Sequence, residues 1–322
     1  MERFFRPLAV LLALAFGAVM LAIMVGSVPL SLAEILAVVG GQGLPLHDTL
    51  LLDLRLPRAL AAFATGGLLA VAGALMQILL RNPLADPYVL GISGGAAVGA
   101  LLAMLGGLGT LVVSGSAFAG ALFSTLLVFG LAHGTGSWTP TRLLLTGVVV
   151  AAGWGAVITL MLAVSPSQQL PGMLYWLMGD LTYAGSPVAP LAVLLLLCLL
   201  LLPLGRSLNV LARGPLQAAA LGVSVRPLEW TVYITASLVT AVAVTTAGSI
   251  GFVGLIVPHM LRLVLGNDQR LILPACALAG GALLVLADTL ARTIIAPEQL
   301  PVGVITALLG VPAFLFLLYR SR

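Results

Sequence analysis

The sequence predicts an all-α membrane protein that crosses the bilayer about ten times. Its 322 residues are 61% hydrophobic and only 7% charged, whereas soluble domains carry roughly a quarter charged residues. Apolar runs of the length that a membrane helix needs, about 20 residues, recur along the chain. Arginines concentrate between alternate runs. These observations exclude an ordinary soluble domain and indicate one membrane domain over residues 1–322.

Ten apolar runs support this prediction. The first follows a basic start, but it is too long for a signal peptide and no clear cleavage site follows, so we interpret it as a retained span. The uncharged stretch from Pro87 to Thr141 is too long for one helix, and the glycines of residues 106–110 divide it. The predicted spans are 8–30, 59–80, 91–106, 115–132, 143–164, 187–204, 230–247, 250–265, 271–290 and 302–318.

The distribution of arginine predicts the orientation of these spans. Cytoplasmic loops of membrane proteins carry an excess of basic residues. When both termini are placed in the cytoplasm, eleven of the fourteen basic residues lie on the inner face. The three that remain on the outer face are Arg55, Arg58 and Arg292. We therefore expect cytoplasmic N- and C-termini.

All fourteen basic residues are arginine, and the chain has no lysine. A P-loop ATPase needs a lysine that reaches the terminal phosphates, so the chain is not an ATPase of that kind. Cys198 and Cys276 lie in apolar runs, which is typical of small buried side chains. The histidines show no metal-ligand spacing. We expect no metal site and no catalytic residue in this chain.

The three outer arginines have two interpretations. Asp53 lies near Arg55, and Asp288 precedes Arg292 by four residues, a spacing that permits an ion pair on one helix. Spacing alone favours such local pairs. The other interpretation is a basic patch that receives an acidic partner, where charge complementarity sets orientation and encounter rate.

The longest predicted cytoplasmic connection covers residues 205–229. Gly214-Pro215 interrupts it, residues 215–221 favour a short helix, and Gly222 can end that helix. The helix is small and apolar. Such a helix could lie on the membrane surface as an amphipathic helix, or it could insert into a groove of a soluble partner. The residues leave both interpretations open.

Four motifs resemble the FecCD/BtuC-type permease subunits of binding-protein-dependent ABC importers for iron chelates, haem and cobalamin. They occur in family order and span nearly the whole chain. The motifs are LRLPRALAAFATGGLLAVAGALMQILLRNPLADPYVLGISGGAAVGA at 54–100, LARGPLQAAALGVSV at 211–225, GSIGFVGLIVPHMLRLVLGNDQR at 248–270 and LADTLARTIIAPEQLPVGVITALLGVPAFLFLL at 286–318.

The resemblance implies a ten-helix permease of the bacterial inner membrane that forms a homodimer in contact with membrane lipid. Two copies of a separate cytoplasmic ATPase bind ATP and Mg, and a periplasmic or surface-tethered binding protein delivers the cargo. No cofactor on this chain and no nucleic acid are implied. The cargo is a ferric siderophore, haem or cobalamin, and an iron chelate is favoured only because that group is the broadest.

The resemblance also implies roles for individual residues. The set that docks the binding protein is Arg55, Arg58 and Arg292. The set that couples to the ATPase is Arg213, Pro215, Leu216, Ala219, Leu221, Gly222 and Val225. The family often has an acidic residue near the start of this segment, where this chain has Arg213-Gly214-Pro215. The candidates for a cytoplasmic gate are Asn82, Leu84, Thr139 and Thr141. The glycines that follow, Gly95 and Gly99, form a GxxxG pattern typical of close helix packing in lipid.

Two other classes of function are weighed against this one. An ion-coupled secondary transporter needs no ATPase, but it usually has acidic residues or histidines at the membrane midplane. The charges here fall mostly at predicted helix ends. An intramembrane enzyme is disfavoured because Asp180 and Asp288 lie near predicted outer ends and do not form a pair within one core.

Overall fold

The computed structural model describes residues 2–133, 139–182 and 184–320 of the chain, and within these ranges the regular structure is helical. The α-helices are α1 (Glu2–Met24), α2 (Leu32–Val39), α3 (Pro45–Asp48), α4 (Leu56–Leu79), α5 (Ile92–Leu105), α6 (Thr110–His133), α7 (Pro140–Val164), α8 (Leu170–Met178), α9 (Val188–Leu201), α10 (Gly205–Leu211), α11 (Pro215–Ala220), α12 (Val225–Ala247), α13 (Val253–Leu265), α14 (Gln269–Thr293) and α15 (Val302–Arg320).

Each predicted span overlaps one of these helices. In the described part of the chain, six are long and apolar enough to cross a membrane: α1, the helical region that ends in α4, α6, α7, α12 and α14. The pair α9 and α10 passes the same test together but is bent by 72°. The remaining three, α5, α13 and α15, are shorter apolar helices. The multi-pass, all-α architecture is therefore confirmed, while the count of ten crossings stays a prediction.

Helix α4 forms the centre of the bundle. Almost all of its side chains are buried, and it packs against α12, α13 and α14. Glycines make the closest contacts: a Cβ on Gly73 would lie 1.8 Å from the carbonyl oxygen of Gly254, and one on Gly66 would lie 2.2 Å from that of Gly280. Small residues allow helix backbones to approach in this way.

The chain enters α4 earlier than the sequence predicts. Residues 45–79 form one helical region of 35 residues, in which α3 and a π-helical stretch, Thr49–Arg55, precede α4. At 1.5 Å per residue such a region is about 50 Å long, well beyond a hydrocarbon core of roughly 30 Å. We therefore expect its first turns to project from the bilayer on the predicted outer face.

Gly95 and Gly99 lie where α5 packs against α6. A Cβ on Gly95 would lie 2.5 Å from the carbonyl oxygen of Gly120, and one on Gly99 would lie 2.1 Å from that of Ser116. A side chain at either position would separate the two helices. Close packing is therefore sufficient to explain the glycines of this motif.

Candidate functional site

Two arginines and one aspartate form the outer arginine cluster, which consists of Arg58, Asp288 and Arg292. Asp288, in α14, is only 2% exposed. Arg58 donates from Nε to both carboxylate oxygens, at 3.1 and 3.0 Å, and from Nη2 to Oδ1 at 2.8 Å. Arg292 donates from Nε to Oδ2 at 3.1 Å. A single carboxylate therefore holds two guanidinium groups.

The cluster joins several parts of the predicted outer face. Arg58 Nη1 donates to Gln299 Oε1 at 2.9 Å, and Arg292 Nη2 donates to the carbonyl oxygen of Ala22 at 3.2 Å. The ion pair expected between Asp288 and Arg292 is confirmed. Two guanidiniums on one carboxylate leave one positive charge, and the arginine side chains stay 13% and 11% exposed. The local ion pair and a residual basic patch therefore coexist.

Arg55 makes other contacts than the cluster, and its docking role stays a prediction. It is 7% exposed, and its guanidinium donates to the carbonyl oxygens of Ile23, at 2.7 Å, and of Val28. Gly26 leaves the space it needs, since a Cβ there would lie 2.6 Å from Nη2. The C-terminus of a helix leaves carbonyl groups without partners. Arg55 satisfies one of those of α1, at Ile23, which indicates a structural role for its guanidinium.

A cavity of about 650 Å³ lies beside the cluster. It is bounded by α8, the start of α6 and the end of α12, and its polar lining includes Tyr175, Asp180 and Thr246. Gln299 lines the cavity and also accepts the hydrogen bond from Arg58. Gln299 therefore links the outer arginine cluster to the cavity.

The predicted coupling segment contains two short helices, α10 and α11, and its last residues belong to α12. Helix α11 has the position expected from the sequence, and Gly222 adopts a positive φ of 79° just after it. Leu216 and Leu221 are 86% and 66% exposed, whereas Ala218 is buried. Arg213 and Ala219 are exposed as well. The segment thus exposes apolar side chains, while Ala218 packs against the rest of the protein.

The four gate candidates lie at the ends of α4 and α7. Asn82 Oδ1 accepts a hydrogen bond from the backbone N–H of Leu84 at 2.9 Å, which shapes the turn after α4. Thr139 caps α7 by accepting from the backbone N–H of Arg142, and Thr141 is exposed. Residues 136–138 of the second loop lie outside the described residues. A gate formed by these side chains stays a prediction.

One residue that sequence reasoning missed, Gln77, holds the first of these turns. It is 4% exposed, and its Nε2 donates to the carbonyl oxygens of Ala85, at 3.3 Å, and Leu255, at 3.1 Å. Its Oε1 accepts from Arg262. The available signal was a lone amide near the end of an apolar run, where an unpaired polar group is costly.

The model of the FecCD transport family matches residues 11–320. The chain belongs to this family. It is 46% identical to the cobalamin import system permease protein BtuC of Halobacterium salinarum, over 84% of this chain and 73% of that protein. It is 43% identical to the hemin transport system permease protein HmuU of Yersinia pestis, over 84% and 82%.

A solved structure supports this FecCD-family assignment at the level of the fold. The structure is described as an inward-facing conformation of a metal-chelate type ABC transporter, and it superposes with a TM-score of 0.86 at 30% identity. The match covers 97% of this chain and 98% of that chain. The predicted resemblance and the predicted fold class are therefore confirmed.

Proposed function

We propose that this chain is the membrane-spanning subunit of an ABC importer that moves a metal chelate across a bacterial inner membrane. The observation that carries the proposal is the match to the FecCD family over residues 11–320. Relatives at 46% and 43% identity are named for cobalamin and hemin. These two compounds are therefore the first cargoes to test, followed by ferric siderophores.

The proposed assembly is a homodimer with two copies of a cytoplasmic ATPase beneath it. The ATPase binds ATP and Mg and hydrolyses ATP, while this chain catalyses no covalent step and holds no cofactor. The exposed apolar surface at α11 supports docking into the ATPase, because a short helix with largely exposed leucines, Leu216 within it and Leu221 just after it, suits a groove on a soluble partner.

At the opposite end, Arg58 and Arg292 are the proposed contacts for acidic side chains of a binding protein. Their residual positive charge and partial exposure support this role. ATP-driven motion of the ATPase would then displace α11, and the helices would alternate between outward and inward openings. The turn of Asn82 and Leu84, with Thr139 and Thr141, is the proposed inner gate.

The test is uptake of labelled cobalamin, haemin and a ferric siderophore in paired strains with and without this chain. A third strain keeps the chain but carries a P-loop lysine substitution in the cognate ATPase. We expect uptake of one cargo to be lost in the second and third strains alike. Uptake that persists with the inactive ATPase would overturn the proposal in favour of an ion-coupled transporter.

A further inference from the structure

Asn209 joins the coupling segment to the start of α14. It lies on α10, and both ends of its side-chain amide are used. Its Nδ2 donates to Asp268 Oδ1 at 2.9 Å, and its Oδ1 accepts from the backbone N–H of Gln269 at 2.7 Å. The first N–H groups of a helix have no partner within the helix. Here the side-chain oxygen of Asn209, on α10, accepts from the first N–H group of α14.

Asp268 forms the other half of this junction. It caps α14 by accepting from the backbone N–H of Arg270 at 3.1 Å, and the Arg270 side chain donates to its two oxygens at distances from 2.6 to 3.2 Å. These hydrogen bonds from Arg270 hold the pKa of Asp268 well below its usual range. The carboxylate is therefore ionised at any cytoplasmic pH and remains an acceptor for Asn209.

The same two elements touch at a second point. Gly205 begins α10, and a Cβ there would lie 2.8 Å from Cγ of Arg270. Helix α10 thus meets residues 268–270 both at its start and through Asn209. Two separate contacts restrict rotation of α10 about either one, so the junction is a fixed connection.

The junction has a distinctive place in the fold. Three residues, 212–214, separate α10 from α11, whose Leu216 is exposed. In the other direction α14 runs for 25 residues, about 37 Å at 1.5 Å per residue. It ends beside the outer arginine cluster, to which it contributes Asp288 and Arg292. One helix therefore connects the coupling segment with the proposed docking surface.

We propose that Asn209 is a positioning residue that fixes the coupling segment to the inner end of α14, so that displacement of α11 also displaces α14. This inference rests on the proposed function, because the force on α11 comes from the ATPase. Without the amide, α11 could move while α14 stayed in place, and ATP hydrolysis would continue with less transport.

A reciprocal exchange of the two side chains tests the link. Asn209→Asp removes the donor and sets a second carboxylate against Asp268, so the junction should open. Adding Asp268→Asn places an amide opposite the new carboxylate, so the repulsion ends and a hydrogen bond between the two side chains can form again. The exchange gives up the ion pair between Asp268 and Arg270, but that pair is partly exposed and contributes little, so the junction should close again. A general loss of folding would not be reversed in this way.

The first measurement uses the permease alone and needs no ATPase. Spin labels are placed on α11 at Gln217→Cys and on α14 at Leu283→Cys, with Cys198 and Cys276 replaced by alanine. We expect a narrow distance distribution in the parent, a broad one with Asn209→Asp and a narrow one in the exchanged pair. Distance distributions of equal width in the parent, in Asn209→Asp and in the exchanged pair would overturn the positioning role.

The second measurement uses the complete importer in proteoliposomes with its cognate ATPase and binding protein, and cobalamin as cargo, or haemin if the strain test selects it. We expect Asn209→Asp to lower the cargo moved per ATP by roughly fivefold or more, with the ATPase still bound, and the exchanged pair to restore it. A broadened distance with unchanged cargo per ATP would overturn the transmission role. Transport by the parent without ATPase would overturn the proposed function instead.

Discussion

At the scale of single residues, the role of each outer arginine follows from what its guanidinium already contacts. Arg55 and Arg292 both donate to carbonyl oxygens near the end of α1. Arg55 is buried there, so its guanidinium serves the end of α1. Arg292 also shares Asp288 with Arg58 and keeps part of its surface exposed. The sequence could place these three residues at one face but could not separate them, because burial depends on how α1 packs.

Asp288→Asn tests whether the cluster is organised by its carboxylate. Electrostatics alone predicts tighter binding of an acidic partner when a negative charge is removed. We expect the opposite, a Kd about tenfold higher, or about 1.4 kcal/mol. The reason is that Arg58 and Arg292 lose their shared counter-ion, repel each other and no longer hold one geometry. The measurement is the affinity of the binding protein for the monodisperse permease–ATPase complex in nanodiscs.

Glu298→Gln is the matched control for this experiment. Glu298 is an exposed carboxylate on the same face, ten residues further along the chain. Its neutralisation removes the same charge without removing a partner of the two arginines, so the affinity should stay unchanged or rise slightly. If Asp288→Asn behaves like Glu298→Gln, the cluster is not organised by Asp288.

At the scale of elements, the sequence predicts the existence of the helices well and their shapes poorly. Apolar runs set where a chain can be helical in lipid, and each predicted span overlaps a helix. The 72° bend between α9 and α10 falls at Pro203, where the predicted sixth span also ends. The π-helical stretch before α4, in contrast, depends on which backbone carbonyl each N–H selects. Tertiary packing decides that selection, so a single sequence carries little sign of it.

The contact of α5 with α6 permits a sharp test at this scale. Gly99→Ala places a methyl group 2.1 Å from a backbone oxygen of α6, so one helix must move. We expect a loss of stability on the order of 1–3 kcal/mol, as for other overpacked cores. Gly130→Ala, on the exposed side of α6 with nothing within 4 Å, is the control. Thermal unfolding in detergent compares the two, and equal midpoints would contradict the packing role.

At the scale of the whole molecule, polar networks occupy the two ends of a bundle whose centre, α4, is almost entirely apolar. The network at one end contains Arg58, Asp288 and Arg292. At the other end lie two separate hydrogen-bonded pairs, Gln77 with Arg262 and Asn209 with Asp268. Helices α4 and α14 pack side by side and connect them. The proposed docking and coupling surfaces therefore face opposite sides of the membrane, and their assignment depends on the orientation of the chain.

The excess of arginine on one face predicts that orientation. Basic residues stay on the cytoplasmic side, which puts α11 inside and the loop between α2 and α3 outside. Gln217→Cys on α11 and Gln42→Cys in that loop are exposed positions of the same residue type. In a background without Cys198 and Cys276, a membrane-impermeant maleimide should label residue 42 in spheroplasts and residue 217 only in inverted vesicles. Labelling of residue 217 in spheroplasts would reverse the orientation, and the arginine cluster would then face the cytoplasm, where no binding protein could reach it.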